Sequence, residues 1–395
     1  MATHVGIGFS QKFNSAEAVS EAASQAKALT KQPKVDLVIV FHTIHYNPAE
    51  FLPILRQIFK ESKILGSSTA GLITSNFTAM HGMLIVAVCS DDTHFAVDAI
   101  ECPGFRNMRE AGSTLAKSII KDYGQHRRQA FLYFTDGLLN DHSQVLEGLR
   151  DVLGNIFPIA GAGSSDDFHF QRTYQLCEDR ILSQAIAGLL LGGHLTISLG
   201  SRHGWKPLGK PRFVDQAEGN IIKSIDGKPA ASIYTEYFGK EAESLLSTQL
   251  GQIAILYPLG FYIPGENEHL LRTVINIRND GSIICQDQIP EHSEVHLMIT
   301  NKEACIQAAA EAALEAQNGL LGKEAKLIII FESLTRQKLL GRNAFQEIKA
   351  LKGILGHATP IAGMYSYGEI YPSKATGETG KIHLRNENIT IIAIG

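Results

Sequence analysis

Three short, unbroken apolar runs punctuate the chain, and each ends in phenylalanine: residues 37–41 (Leu-Val-Ile-Val-Phe), 130–134 (Ala-Phe-Leu-Tyr-Phe) and 327–331 (Leu-Ile-Ile-Ile-Phe). Continuous β-branched and aromatic runs of this length predict strands buried on both faces. An alanine-rich segment of helical periodicity precedes each run, over residues 16–29, 108–120 and 302–321. In the last of these, Ala308-Ala309-Ala310 and Ala312-Ala313 combine high helix propensity with a small-residue face for close packing on a sheet.

Each run then leads through a polar loop into a second predicted helix, over residues 48–59, 143–153 and 343–355. Pro48 suits a first helical turn and Ser143 an N-cap, whereas Pro53 predicts a late start or a kink in the first of these helices. Another buried strand follows, and here the copies agree closely. Ile64-Leu65-Gly66-Ser67-Ser68-Thr69 is matched by Pro158-Ile159-Ala160-Gly161-Ala162-Gly163-Ser164-Ser165 and by Pro360-Ile361-Ala362-Gly363-Met364-Tyr365-Ser366-Tyr367. Further strands are predicted over residues 83–88, 185–199 and 389–394, while residues 213–262 break the pattern. There Asp226-Gly227-Lys228-Pro229 reads as a turn, followed by a short helix through Tyr237. The expected fold is α/β: two domains with mixed, largely parallel sheets flanked by helices, built from three strand–helix–strand units. The boundary falls near residue 222, with two units in residues 1–222 and the third in residues 223–395.

Composition narrows the function. Lys and Arg number 36 against 40 Asp and Glu, so no basic field exists to attract nucleic acid or an anionic membrane. The five cysteines are scattered, odd in number and never spaced Cys-x-x-Cys, which fits a reducing compartment and argues against disulfides or a thiolate zinc site. The first residues lack the charged and apolar regions of a signal peptide, and the apolar stretch 185–200 is too short to span a bilayer. A cytoplasmic protein is expected.

Candidate chemistry gathers where the strands end. Parallel strands that run into glycine-rich loops place free backbone N–H groups beside a ligand. Ser67, Ser68 and Thr69, and likewise Ser164, Asp166 and Asp167, offer hydroxyls and carboxylates there; tight turns and caps account for the same residues equally well. Asp136 follows the second run, and Glu332 with Arg336 follows the third. Either could hold the amino or carboxyl group of a small zwitterion, or could form a cap or an internal ion pair. Tyr365, Tyr367 and Glu369 alternate, which puts them on one face of a regular extended segment, as aromatic walls with one carboxylate for an amine-bearing ligand. His42 and His45 have ligand-like spacing without a third ligand, and His203 stands near the single tryptophan, Trp205. Residues 161–166 fail the dinucleotide fingerprint because the third glycine is missing, and no phosphate-binding loop, nucleophile elbow or zincin helix occurs. Binding is expected rather than catalysis.

The ordered set Gly66–Gly71, Asp136-Gly137-Leu138, Ala160–Asp167, Gly204–Gly209, Asp226–Ala230, Tyr257-Pro258-Leu259-Gly260 and Tyr365–Ile370 resembles the successive signatures of FIST proteins over nearly the whole chain. The resemblance implies an N-terminal and a C-terminal FIST domain and an intracellular sensor of small ligands, amino acids among them, acting through a separate signalling partner. Ligand-binding roles are expected of Ser67, Ser68, Thr69, Asp136, Ser164, Asp166, Asp167, Trp205, Glu332, Arg336, Tyr365, Tyr367 and Glu369, among which Glu332 and Arg336 match the family's text after the third run. The alternative is a stand-alone, haem-binding nitric oxide sensor of the NosP type that regulates a histidine kinase. It would hold haem b on His203 or His45. This chain departs from the family pattern after the third run, where Glu332-Ser333-Leu334-Thr335-Arg336 lacks the usual cysteine.

Overall fold

The computed structural model describes residues 3–139, 141–239, 256–373 and 382–395. All three phenylalanine-terminated runs are strands, Leu37–Thr43, Arg128–Asp136 and Leu327–Ser333, and each pairs in parallel with the strand that follows its second helix: Lys63–Thr69, Ile159–Ser164 and Ile361–Ser366. Each also pairs antiparallel with a later strand, respectively Met83–Ser90, Ala185–Gly193 and Ile389–Ile394. Parallel pairing is confined to those three pairs among the described residues, so the expectation of largely parallel sheets is corrected. The connections that leave each parallel pair are short hairpins rather than further helices, and hairpins impose antiparallel pairing.

Those hairpins are exchanged. Leu72–Thr74 with Thr78–Ala79 extends the third sheet, Gln175–Cys177 with Arg180–Leu182 extends the first, and Glu369–Pro372 with Ile382–Arg385 extends the second. Three six-stranded sheets are thereby interlocked. The expected single strand over residues 185–199 is two, because Ala185–Gly193 stays in the second sheet while Ile197–Arg202 crosses to the edge of the third. Residues 206–299 supply a fourth, eight-stranded sheet with its own core around Val214, Ile222, Leu259 and Leu297.

The helices cover the outer faces. Ser15–Thr30, Met108–Tyr123 and Lys302–Gly319 start on the same device, an asparagine (Asn14, Asn107, Asn301) whose Oδ1 accepts the N–H three residues on, at 3.0, 2.8 and 2.8 Å. The alanine face of the third lets its backbone lie on the strand beneath. A Cβ at Gly200 would fall 2.0 Å from the Ala312 carbonyl oxygen. Among the second helices, Pro48–Ile58 begins on Pro48, so Pro53 does not delay its start. The next begins at His142, and its cap is Asp141 at φ 63° rather than Ser143. The third is Phe345–Leu355, close to the expected 343–355, and a short helix Leu334–Leu340 with a 3₁₀ turn at Gly341–Asn343 precedes it in the expected loop.

Alternation sends every second residue of the three central strands to a shared interior. Phe41, Phe134 and Phe331 meet there edge to face, with centroids 5.8, 6.3 and 5.6 Å apart and interplanar angles of 86–89°. This aromatic triangle separates an apolar end from the polar loops. No helix among the described residues is long and apolar enough to cross a membrane.

Candidate functional site

The three loop segments lie against one another above the aromatic triangle. Ser67 Oγ and Ser164 Oγ are 2.7 Å apart, Ser68 Oγ donates to the Ser165 carbonyl at 3.3 Å, and Thr69 Oγ1 and Ser165 Oγ both donate to the Tyr365 carbonyl, at 2.7 and 2.6 Å. The N–H groups expected to stay open are spent on these contacts: Gly163 N–H on Gly368, Ser165 N–H on Ser68, Tyr367 N–H on Gly163 and Ala70 N–H on Ser165 Oγ. The glycines admit the neighbouring strand rather than a ligand, since a Cβ at Gly163 would fall 2.3 Å from the Tyr367 carbonyl oxygen. Ser67, Ser68, Thr69 and Ser164 are fully buried joints between sheets.

The aspartates are likewise engaged. Asp136 accepts the N–H groups of Leu138 (2.9 Å) and Gln184 (2.8 Å). Asp166 accepts those of Phe170, Gln171 and Arg172 together with the Tyr367 hydroxyl at 2.7 Å, so its four lone-pair directions are filled. Asp167 faces outward to Lys338 at 2.9 Å. Trp205 lies apart, packed among Leu271, Met298 and Cys305. Tyr365, Tyr367 and Glu369 do not share one extended face. Gly368, at φ 85°, turns the chain so that Glu369 opens a strand of the second sheet.

A different pattern surrounds Glu332 and Arg336. Glu332 is one residue past the inward Phe331, so it points to the helix side of the third sheet, beside its parallel neighbour Tyr365. Arg336 enters from the short helix Leu334–Leu340 and Glu347 from Phe345–Leu355. All four side chains are fully buried. Arg336 donates to the carbonyls of His203, Glu387 (3.3 Å) and Cys305 (2.9 Å) and pairs with Glu347. Its Nε stands 3.9 Å from Glu332 Oε1, too far for a hydrogen bond. With the carboxyls ionised, both Glu332 oxygens, Glu347 Oε2 and Arg336 Nε have no donor or acceptor in good geometry among the described residues; a proton on Glu332 would bridge it to Glu347, and the Tyr365 hydroxyl has Thr78 as its nearest polar neighbour.

Two further buried carboxylates close the group. Glu369 accepts from Ser366 Oγ (2.6 Å) and the Asn388 N–H (3.1 Å). Glu387, at φ 63°, accepts from Thr273 Oγ1 (2.7 Å) and Ser333 Oγ (3.1 Å). Four carboxylates thus stand around one guanidinium with no water-exposed surface, and they cannot all be ionised without a compensating cation. Burial raises the Glu332 carboxyl well above its usual range, and the neighbouring Glu347 raises it further. Burial also raises Glu369 well above that range, against the Ser366 hydrogen bond. Glu387 is pushed up to about 7 by burial, against hydrogen bonds from Thr273, Thr335 and Ser333. Burial therefore favours the neutral, protonated form of Glu332, Glu369 and Glu387 over the ionised one.

Glu347, Glu387 and Asn388 carried no signal in the pattern of apolar positions. The available hint was the polar run Arg385-Asn386-Glu387-Asn388 between two strands, which is buried throughout. Of the two histidines considered for haem, His203 does not fit an axial ligand. Its Nδ1 accepts the Trp205 N–H at 2.8 Å and its Nε2 meets the His269 carbonyl at 3.1 Å, leaving no lone pair for iron. Burial lowers its pKa to about 3, so it is neutral. His45 is exposed, with Nδ1 3.3 Å from Thr43 Oγ1. All five cysteines are buried, and burial pushes Cys102, Cys177 and Cys285 up to about 12.

Comparison with known proteins gives consistent assignments for both halves. The FIST N domain matches residues 36–228 and the FIST C domain residues 230–372. An uncharacterised protein of Methanocaldococcus jannaschii is 25% identical over 329 residues, covering 75% of this chain and 60% of that protein. An uncharacterised protein of Mycobacterium tuberculosis is 24% identical over 207 residues, covering 50% of this chain and 52% of that one. The chain therefore spans 52–60% of the length of these curated relatives. A cyanuric acid hydrolase from A. caulinodans superposes over 100% of this chain and 99% of its own at a TM-score of 0.39 and 9% identity, a likeness too distant to carry a functional argument.

Proposed function

The chain belongs to the FIST family, and from that premise we propose that it is a cytoplasmic small-ligand sensor whose ligand presents a cationic nitrogen to the Glu332–Glu347–Glu369–Glu387 cluster. The observation that carries this reading is the set of polar atoms left without a partner in good geometry when the fully buried Glu332, Arg336 and Glu347 are ionised, with both oxygens of Glu332 among them. Buried polar atoms are otherwise almost always paired, because leaving one unpaired costs about 1–3 kcal/mol. A primary ammonium supplies three donors and one positive charge, matching Glu332, Glu347 and the Tyr365 hydroxyl. The Nε–H of Arg336, its one uncommitted donor, suits a carboxylate oxygen of the same ligand, which makes an amino acid the first class to screen. The scaffold is three copies of one strand–helix–strand unit, of which the third has acquired the charged equipment while the other two serve as joints. The role is binding rather than catalysis, and the signal passes to a separate partner, a histidine kinase being one candidate.

A thermal-shift screen of amines and amino acids tests this. A ligand at 100 times its Kd adds about 2.7 kcal/mol of stability. Glu332→Gln should fold and lose the response. A flat response across amines and amino acids, or an undiminished response in Glu332→Gln, rejects the reading.

A further inference from the structure

The carboxylate cluster has no water-exposed surface, so an element must move before anything from solvent reaches it. The short helix Leu334–Leu340 stands over it: Leu334, Thr335, Arg336 and Leu340 are buried, while Lys338 is exposed. Gly341 ends this helix at φ 55°, and a Cβ there would meet no atom within 4 Å, so the chain can turn at that point without repacking. A segment of the second unit holds the helix from outside. Lys338 Nζ lies 2.9 Å from Asp167 Oδ1 and 5.7 Å from the centroid of the Phe168 ring. That segment, residues 166–172, is under backbone strain. Asp167, Phe168 and Phe170 all have left-handed φ, at 55, 61 and 51°, a region that is costly for residues with a Cβ and rare for bulky ones. The conformation persists because one buried carboxylate over-determines it. Asp166 accepts the N–H groups of Phe170 (3.0 Å), Gln171 (2.7 Å) and Arg172 (3.0 Å) and the hydroxyl of Tyr367 (2.7 Å). The Phe170 ring stacks on Tyr367, with centroids 5.2 Å apart. The strained segment thus grips the third unit twice, at Tyr367 and at Lys338.

We propose that residues 166–172 are a strap that holds the Arg336 helix shut over the carboxylate cluster, stapled by Asp166 and latched by Asp167 on Lys338. Strain makes the closed strap depend on its staple: once the carboxylate lets go, the left-handed residues favour another conformation and the latch leaves with them. Opening also parts Arg336 from Glu347, so it is rare, and the strap sets how rare. That the opening admits a ligand rests on the cluster being a cation site; that the strap keeps the helix closed does not.

The test reads the opening without a ligand. Cys305 is fully buried behind the helix, packed with Leu340 and Ala344, and close enough to Arg336 and Glu347 for their charges to act on its thiol. Burial raises its pKa, so it reacts with N-ethylmaleimide in molecules whose helix has lifted. The other four cysteines are also buried and report global unfolding in the same sample. Native-state labelling of the full chain is followed site by site with peptide mass spectrometry. Lys338→Ala, which removes an exposed ion pair, should speed labelling at Cys305 about two- to fivefold. Asp166→Asn, which sets an N–H₂ among donors, should speed it at least about tenfold, with the other four cysteines at the wild-type rate in both variants. Since Asp166 is buried and its replacement can impair folding, the exposed Lys338→Ala decides alone if Asp166→Asn melts early. Cys305 labelling unmoved in Lys338→Ala overturns the proposal, and so does acceleration shared equally by all five cysteines. A flat amine screen together with the expected labelling rejects the cation site and leaves the strap standing.

Discussion

Replacing Arg336 with methionine should be among the most damaging single changes in the protein, because four acceptors depend on one buried guanidinium. Arg336 is fully buried, pairs with Glu347 and donates to three carbonyls, those of His203, Glu387 and Cys305. Methionine fills much of the same volume, so the cavity contribution is small and the loss is electrostatic. Breaking a buried ion pair by removing one partner costs about 3–5 kcal/mol. Carbonyls left without a donor add about 1 kcal/mol each, offset in part by local relaxation around the new side chain. About 4–6 kcal/mol results. For 395 residues, unfolding entropy near 0.8 kcal/mol/K converts this into a fall in melting temperature of about 5–7 °C. Differential scanning calorimetry at pH 7 reads it directly. Lysine at the same position keeps the charge but cannot reach four acceptors, and should fall between. Adding Glu347→Gln to Arg336→Met should recover part of the loss, because the stranded carboxylate disappears with its partner. A melting temperature within 1 °C of wild type for Arg336→Met, or simple additivity in the double variant, would refute the reasoning.

Three other outcomes follow from the same geometry. Glu387 titrates near 7 in the folded protein against 4.5 in the unfolded chain, so its contribution is fully present below pH 4.5 and is lost as pH rises through 7, about 3 kcal/mol in all. Urea midpoints measured stepwise from pH 4.5 to 7.5 should therefore show Glu387→Gln gaining on wild type across that window; a constant difference would exclude the assignment. Ser165→Ala removes the hydroxyl that accepts the Ala70 N–H and donates to the Tyr365 carbonyl, and should cost about 1–3 kcal/mol by denaturant titration although no ligand is involved. Phe134→Ala opens the aromatic triangle and should cost about 3–5 kcal/mol, with hydrogen exchange accelerating in all three central strands rather than in the second sheet alone.

Much of the fold was legible because local burial leaves a local pattern. A strand covered on both faces must be apolar at every position, and a helix lying on such a strand must present small residues. The three runs, their preceding helices and their terminal phenylalanines could accordingly be read from the chain. The loops were legible as special, but their meaning was not. Glycine reports that something approaches the backbone, and a neighbouring strand satisfies that requirement as well as a ligand does. At Gly163 the approaching group is Tyr367, more than 200 residues away. Glu369 was misplaced for a related reason: one residue at φ 85°, Gly368, carries the chain from one sheet to another, and alternation cannot be read across that turn.

The sequence alone determined where strands and helices form, that their apolar faces need covering, and that Glu332 and Arg336 stand at the end of a buried strand. Only the tertiary structure decided which element does the covering. The exchange of hairpins among the three sheets, and the arrival of Glu347 and Glu387 beside Arg336, depend on pairings between distant segments. Hydrophobic patterning records how strongly a residue avoids water, not which neighbour replaces the water. A glutamate on a helix looks the same in sequence whether it faces solvent or a buried guanidinium.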